Sequence, residues 1–213
     1  LTTAEDSAYL GLLSAVDVAS DQVTWAKVSG PAWAAVSESG AVSSTPLQAD
    51  VGDNILVVEA HDDDGGIATA ALTVAVTNVN DPPVIVYATA TAVTEGSSTT
   101  VNALIIDEDD PNLRIEVTWF DGTGTEVVPS AATGTIVLWH LYPDEYQFGD
   151  YSVQMVVTDP TGASVTQWFS ARVTNLPPSG LSLSATAATE NAPFSGQLSA
   201  VDVAADPIVW MKT

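Results

Sequence analysis

Residues 190–212 overlay residues 5–27 without a gap at a constant offset of 185 positions. The offset carries Glu5 onto Glu190, Asp17 onto Asp202, Asp21 onto Asp206, Trp25 onto Trp210 and Lys27 onto Lys212. Repetition at a fixed period constrains architecture more than any local pattern does, because each repeat must be a packing unit of its own. A weaker echo lies inside the first. Glu5 and Asp17, twelve apart and followed by Trp25, recur as Glu95 and Asp107, twelve apart and followed by Trp119. At an offset of 97, Gly52, Asp53, Leu56 and Val58 meet Gly149, Asp150, Val153 and Met155. The period of 185 therefore holds two related modules, each the size of one sandwich domain.

Strand signals dominate both modules. Ile55–Ala60, Ala70–Val76, Ile115–Trp119 and Tyr151–Val157 are short and β-branched. They are bounded by turn sequences at 62–66, 109–112, 121–124 and 159–162 that are rich in Asp, Gly, Pro and Asn. No segment has a capped 3.6-residue period, so helix should be scarce. Many short strands punctuated by turns predict an all-β fold of tandem immunoglobulin-like antiparallel β-sandwiches. Paired prolines at 82–83 and 177–178 end the modules and stiffen the connectors. The expected division is 1–81, 82–176 and 177–213, the last repeating the start of the first. Leu1 aligns with Thr186, so the first module is expected to lack the start of its first strand and the chain to be an internal stretch of an array. Residues 179–213 are too few to bury a core and are expected to order only when another chain or the next segment completes them.

The charge balance excludes whole classes of partner. With 27 Asp and Glu against 4 Lys and Arg, net charge −23, the chain has no basic patch for nucleic acid or an anionic membrane. No apolar run approaches the roughly 18 residues of a membrane span, so membrane insertion is not expected. Self-repulsion of this size favours bound counter-ions, and hard divalent cations prefer carboxylate oxygen. There are no cysteines and two histidines, which removes the usual ligands of zinc and iron–sulfur centres.

Several motifs resemble a known family. Gly30-Pro31-Ala32-Trp33 with Ser39-Gly40 and Thr45-Pro46 is similar to the signature of bacterial dystroglycan-type, cadherin-like repeats. Ala60-His61-Asp62, Gly65-Gly66 and Thr77-Asn78-Val79-Asn80-Asp81-Pro82-Pro83 resemble the cadherin strand end and its linker. The second module, with Gly149-Asp150-Tyr151-Ser152-Val153, Val157-Thr158-Asp159 and Thr161-Gly162, looks like the PKD-like branch of the same sandwich class. The resemblance implies calcium as cofactor, bound where one module meets the next. It implies ligands from Asn80 and Asp81 in the linker, Asp107 and Asp109 in the loop after the second strand, and Asp159 in the loop before the last. Glu5, Asp50 and Asp53 would approach the same point from the first module. The second connector, Asn175-Leu176-Pro177-Pro178, lacks the Asn-Asp pair, and no ligand is assigned there.

The aromatic residues divide by position. Trp25, Trp119 and Trp210 share the place of a buried central tryptophan, and Trp33 should pack too. Trp139 and Trp168-Phe169 remain as candidates for a sugar-stacking platform, weighed against partial burial. No catalytic residues are assigned. A glycosidase needs two carboxylates about 5–9.5 Å apart in a cleft, which stacked sandwiches do not supply. His61 and His140 share no repeated partner and read as surface residues. The expected protein is a non-enzymatic extracellular, cell-surface array for adhesion or filament formation, stiffened by calcium. Its expected partners are neighbouring copies of the repeat, with cell-surface glycans as a second class. The competing reading is a carbohydrate-binding accessory region of a secreted hydrolase.

Overall fold

The computed structural model describes residues 1–17, 22–146, 149–185, 187–203 and 206–211. Asp21 and Lys212, which the repeat matches to Asp206 and Lys27, lie outside the described residues. The chain forms two compact units, Leu1–Asn80 and Asp81–Thr213.

The first unit contains β1 (Thr2–Ala4), β2 (Tyr9–Leu12), β3 (Thr24–Ser29), β4 (Ala35–Val36), β5 (Ala41–Ser44), β6 (Gly52–His61) and β7 (Ile67–Thr77). One sheet runs β1-β7-β6-β3 and the other β2-β5-β4. Alternation along β6 turns Leu56, Val58 and Ala60 inward, where Leu56 and Val58 join Ala34 and Val42 in a small core flanked by Trp25 and Trp33. The loop carrying Gly30-Pro31-Ala32-Trp33 is held by Lys27, whose Nζ donates to the carbonyls of Pro31 at 2.6 Å and Ala34 at 2.9 Å. Gly40 sits at φ +84°, and a Cβ there would stand 2.9 Å from the Trp25 ring, so the Ser-Gly motif is a packing requirement.

The second unit opens with β8 (Val84–Ala90), β9 (Val93–Thr94), β10 (Ser97–Ile106), β11 (Asn112–Thr118) and β12 (Thr125–Ala132). It continues through β13 (Gly134–Tyr142), β14 (Tyr151–Thr158), β15 (Ser164–Ala171) and β16 (Val173–Thr174). Sheets β12-β11-β14-β15 and β13-β10-β8 face each other across a core of alternating residues, with Trp119 fully enclosed at its centre. Both units are Greek-key sandwiches, and among the described residues there is one 3-10 turn and no α-helix.

The last segment is a ribbon of β17 (Ser179–Leu183) and β18 (Leu198–Val201). None of its described residues belongs to either core. Trp210, expected to be buried, is 43% exposed, because the described part of this segment has no facing sheet to cover it.

Two short parallel pairings set the positions of two buried glutamates. β1 lies beside the end of β7, with Ala4 opposite Thr77, and β9 lies beside β16, with Thr94 opposite Thr174. The residue after each short strand is a glutamate, Glu5 or Glu95, and each donates its own N–H to the carbonyl of the partner strand's last residue.

Candidate metal centre

In the second unit that pairing turns Glu95 toward the connector after β16. Glu95 is 2% exposed; its Oε1 accepts the Leu176 N–H at 2.6 Å, while Oε2 is buried with no partner. Around it stand Asp144 and Glu145 from the loop after β13 and Asp206 from the last segment, all four offering oxygens within 4.8 Å of one another. The cleft of about 480 Å³ beside them is also lined by Asn175 and Asp202. The connector that lacks the Asn-Asp pair therefore runs along the edge of a four-carboxylate cluster.

Crowding of like charge marks this cluster. The side chains of Glu95, first, and then Asp144 push the Glu145 carboxyl up to about 7. Asp206 is raised by burial and by the charges of Asp144, Glu95 and Asp202. Four carboxylates, two of them (Glu95 and Glu145) with a buried oxygen that no hydrogen bond satisfies, fit a hard divalent cation, which takes six to eight oxygens and repays the desolvation that the acids suffer alone. Zinc finds no nitrogen or sulfur donor in the set.

A second group of acids meets at the other end of the same sandwich, where the sequence placed Asp81, Asp107, Asp109 and Asp159. The Asp81 N–H donates to Asp109 Oδ2 at 2.6 Å. Asp107 Oδ1 accepts from the N–H groups of Asp109 at 3.0 Å and Asp110 at 2.8 Å. Asp159 is buried, its Oδ1 accepting from Thr161, Gly162 and Ala163 in the turn before β15. Asp107 Oδ2 and Asp109 Oδ1 are buried without partners. Asp110, not assigned from sequence, belongs to this group: burial and then Asp107, Asp159 and Asp109 raise its carboxyl.

The first unit repeats the glutamate device. Glu5 is fully buried, its Oε1 accepting the Val79 N–H at 2.7 Å and its Oε2 unpartnered. Asp50 and Asp53 are different. Asp50 Oδ2 accepts the Leu47 N–H and caps a 3-10 turn, and Asp53 is exposed on β6 opposite Ala75. Among the described residues no hydrogen bond joins either of them to Glu5. Asn80 closes that unit, half-buried.

Asp206 repeats Asp21, to which the sequence assigns no ligand role, whereas Glu95 was signalled by the repeat as the counterpart of Glu5. Asp144 and Glu145 were not, because Leu47 and Gln48 stand 97 positions earlier.

His140 departs from its expected place on the surface. It stacks on Trp119 with ring centroids 4.2 Å apart, and its Nε2 lies 2.7 Å from Asp121 Oδ2, whose side chain is fully buried. Burial pushes the Asp121 carboxyl up, but hydrogen bonds from Thr123 and His140 outweigh it and leave it below the usual range.

Comparison with known proteins agrees with this architecture. Residues 80–172, the second sandwich, match the family model described as bacterial Ig domain. No curated protein sequence matches the chain. Among solved structures, extracellular cadherin domains 1–5 of protocadherin gamma B2 align over 86% of this chain and 39% of that one, at 16% identity and a TM-score of 0.57. Domains 3–6 of the same protein align over 94% of this chain and 53% of that one, at 16% identity and a TM-score of 0.55. The chain thus spans about half or less of the length of these structures. The second module is matched by the bacterial Ig domain family, and the chain as a whole has the fold of tandem Ig-like and cadherin-like β-sandwiches.

Proposed function

We propose that this chain is a stretch of an extracellular adhesive array whose modules, 1–81, 82–176 and 177–213, are stiffened by calcium bound to the acidic clusters. The observation that carries this reading is Glu95: an almost fully buried carboxylate, half satisfied by a backbone N–H, with its second oxygen buried and without a hydrogen bond, in one group with three further acids. A structural role as hydrogen-bond acceptor needs only the first oxygen, and leaving the second unpartnered is costly unless a cation completes it. Glu5 has the same arrangement, which supports a ligand role for it in its own module. The Asp81, Asp107, Asp109, Asp110 and Asp159 group is the second proposed site. Asp50 and Asp53 are the weakest members of the sequence-derived set.

The domain architecture fits an extracellular adhesive repeat, and no helix among the described residues is long and apolar enough to cross a membrane. Non-catalytic function agrees with the matched modules. Copies of the same repeat are the proposed partners, in the same chain or between chains, with filament formation as the outcome of their association. Equilibrium calcium binding tests the proposal, together with small-angle scattering before and after chelation. Saturable binding that narrows the distribution of particle dimensions is expected; no binding would overturn it.

A further inference from the structure

We infer that the outer face of sheet β12-β11-β14-β15 binds neutral polysaccharide through a platform made by Phe120 and Trp168. Each ring is 52% exposed; their centroids lie 5.5 Å apart with 27° between planes, so the pair is near-parallel and open on its outer side. Register places Trp168, Gln154, Thr118 and Thr125 in one row across the four strands, all on the face turned away from the core. An aromatic surface flanked by one amide and two hydroxyls suits a sugar, whose C–H face stacks on a ring while its hydroxyls need donors and acceptors at the rim.

Two further observations favour that occupant. Phe120 has φ +58°, a backbone state that a bulky side chain rarely adopts and that glycine would hold without strain. Strain of this kind is kept where a side chain has work to do at its position. The row also carries no charged side chain in a chain of net charge −23, and the charges nearest to it on the outer face of β11, Glu116 and Arg114, pair with each other, so the platform suits an uncharged ligand. The opposite sheet offers a contrast. Trp139 is 66% exposed there, with Thr100 opposite it and Val137 and Leu141 along β13, but among the described residues it has no aromatic partner with which to form a platform.

This inference is independent of the calcium reading, and its test is run in the presence of chelator. The chain is electrophoresed through native gels containing hydroxyethyl cellulose, galactomannan or, as the polyanionic arm, alginate. Retardation by at least one neutral polymer is expected, weakened on the order of 10-fold or more in Trp168→Ala and in Phe120→Gly and unchanged in Trp139→Ala. Phe120→Gly removes the ring and relieves the backbone, so its melting temperature should not fall, which separates lost binding from lost fold. Retardation by neither neutral polymer, equal retardation by alginate, or binding that survives both substitutions overturns the assignment.

Discussion

Glu95 keeps one carboxylate oxygen on the Leu176 amide and shares one four-acid group with Asp144, Glu145 and Asp206. Glutamine there retains an acceptor for the amide but removes a charge. Glu95→Gln is therefore expected to raise the melting temperature of the metal-free protein and to weaken calcium binding by about 10-fold, roughly 1.4 kcal/mol. A purely structural glutamate would give no calcium-dependent difference between variant and parent, as read by melting with and without the ion. Asp121 makes a second prediction at this scale. Its folded pKa lies below the unfolded value of about 3.9, so its stabilising contribution is complete above that value and is lost as pH falls through the lower, folded one. Acid unfolding followed by tryptophan fluorescence should show Asp121→Asn less stable near neutrality and less sensitive to pH below about 4.

The elements were more legible than the sites. β6, β7, β11 and β14 were visible as alternating, β-branched runs because each has one face in a core and the other in solvent. The tryptophan after β11 was legible for the same reason: a sandwich leaves one large central space, and Trp119 fills it. The Glu95 cluster drew on residues that sequence could not bring together, since Asp144 and Glu145 have no counterpart in the first module and Asp206 comes from the last segment. His140 was misread because its partner Asp121 is 19 positions away and meets it only when the two sheets close. Gly40 tests the packing of the first sandwich. Gly40→Ala would push a methyl against Trp25 at a left-handed backbone position and is expected to cost on the order of 1–3 kcal/mol by denaturant unfolding. Lys27→Met, which strips the Pro31 and Ala34 carbonyls of a charged donor, should cost about 1.5–3 kcal/mol in the same assay.

At the scale of the whole chain, a net charge of −23 opposes folding unless counter-ions are held at defined places. The acids of the two clusters in the second unit are gathered and partly dehydrated, whereas those of the β6–β7 turn, such as Asp63 and Asp64, remain solvated. Extracellular modules bind calcium with dissociation constants of about 10⁻⁴–10⁻³ M, and at ten times that concentration each occupied site adds about 1.4 kcal/mol to the folded state. Thermal unfolding of the intact chain across a calcium titration, with magnesium as the control ion, tests the central claim most directly. The account predicts a melting temperature that rises by several degrees with calcium, saturates in the millimolar range and loses part of that rise in Glu95→Gln. A melting temperature indifferent to calcium, or raised equally by magnesium and unaffected by the substitution, would contradict it.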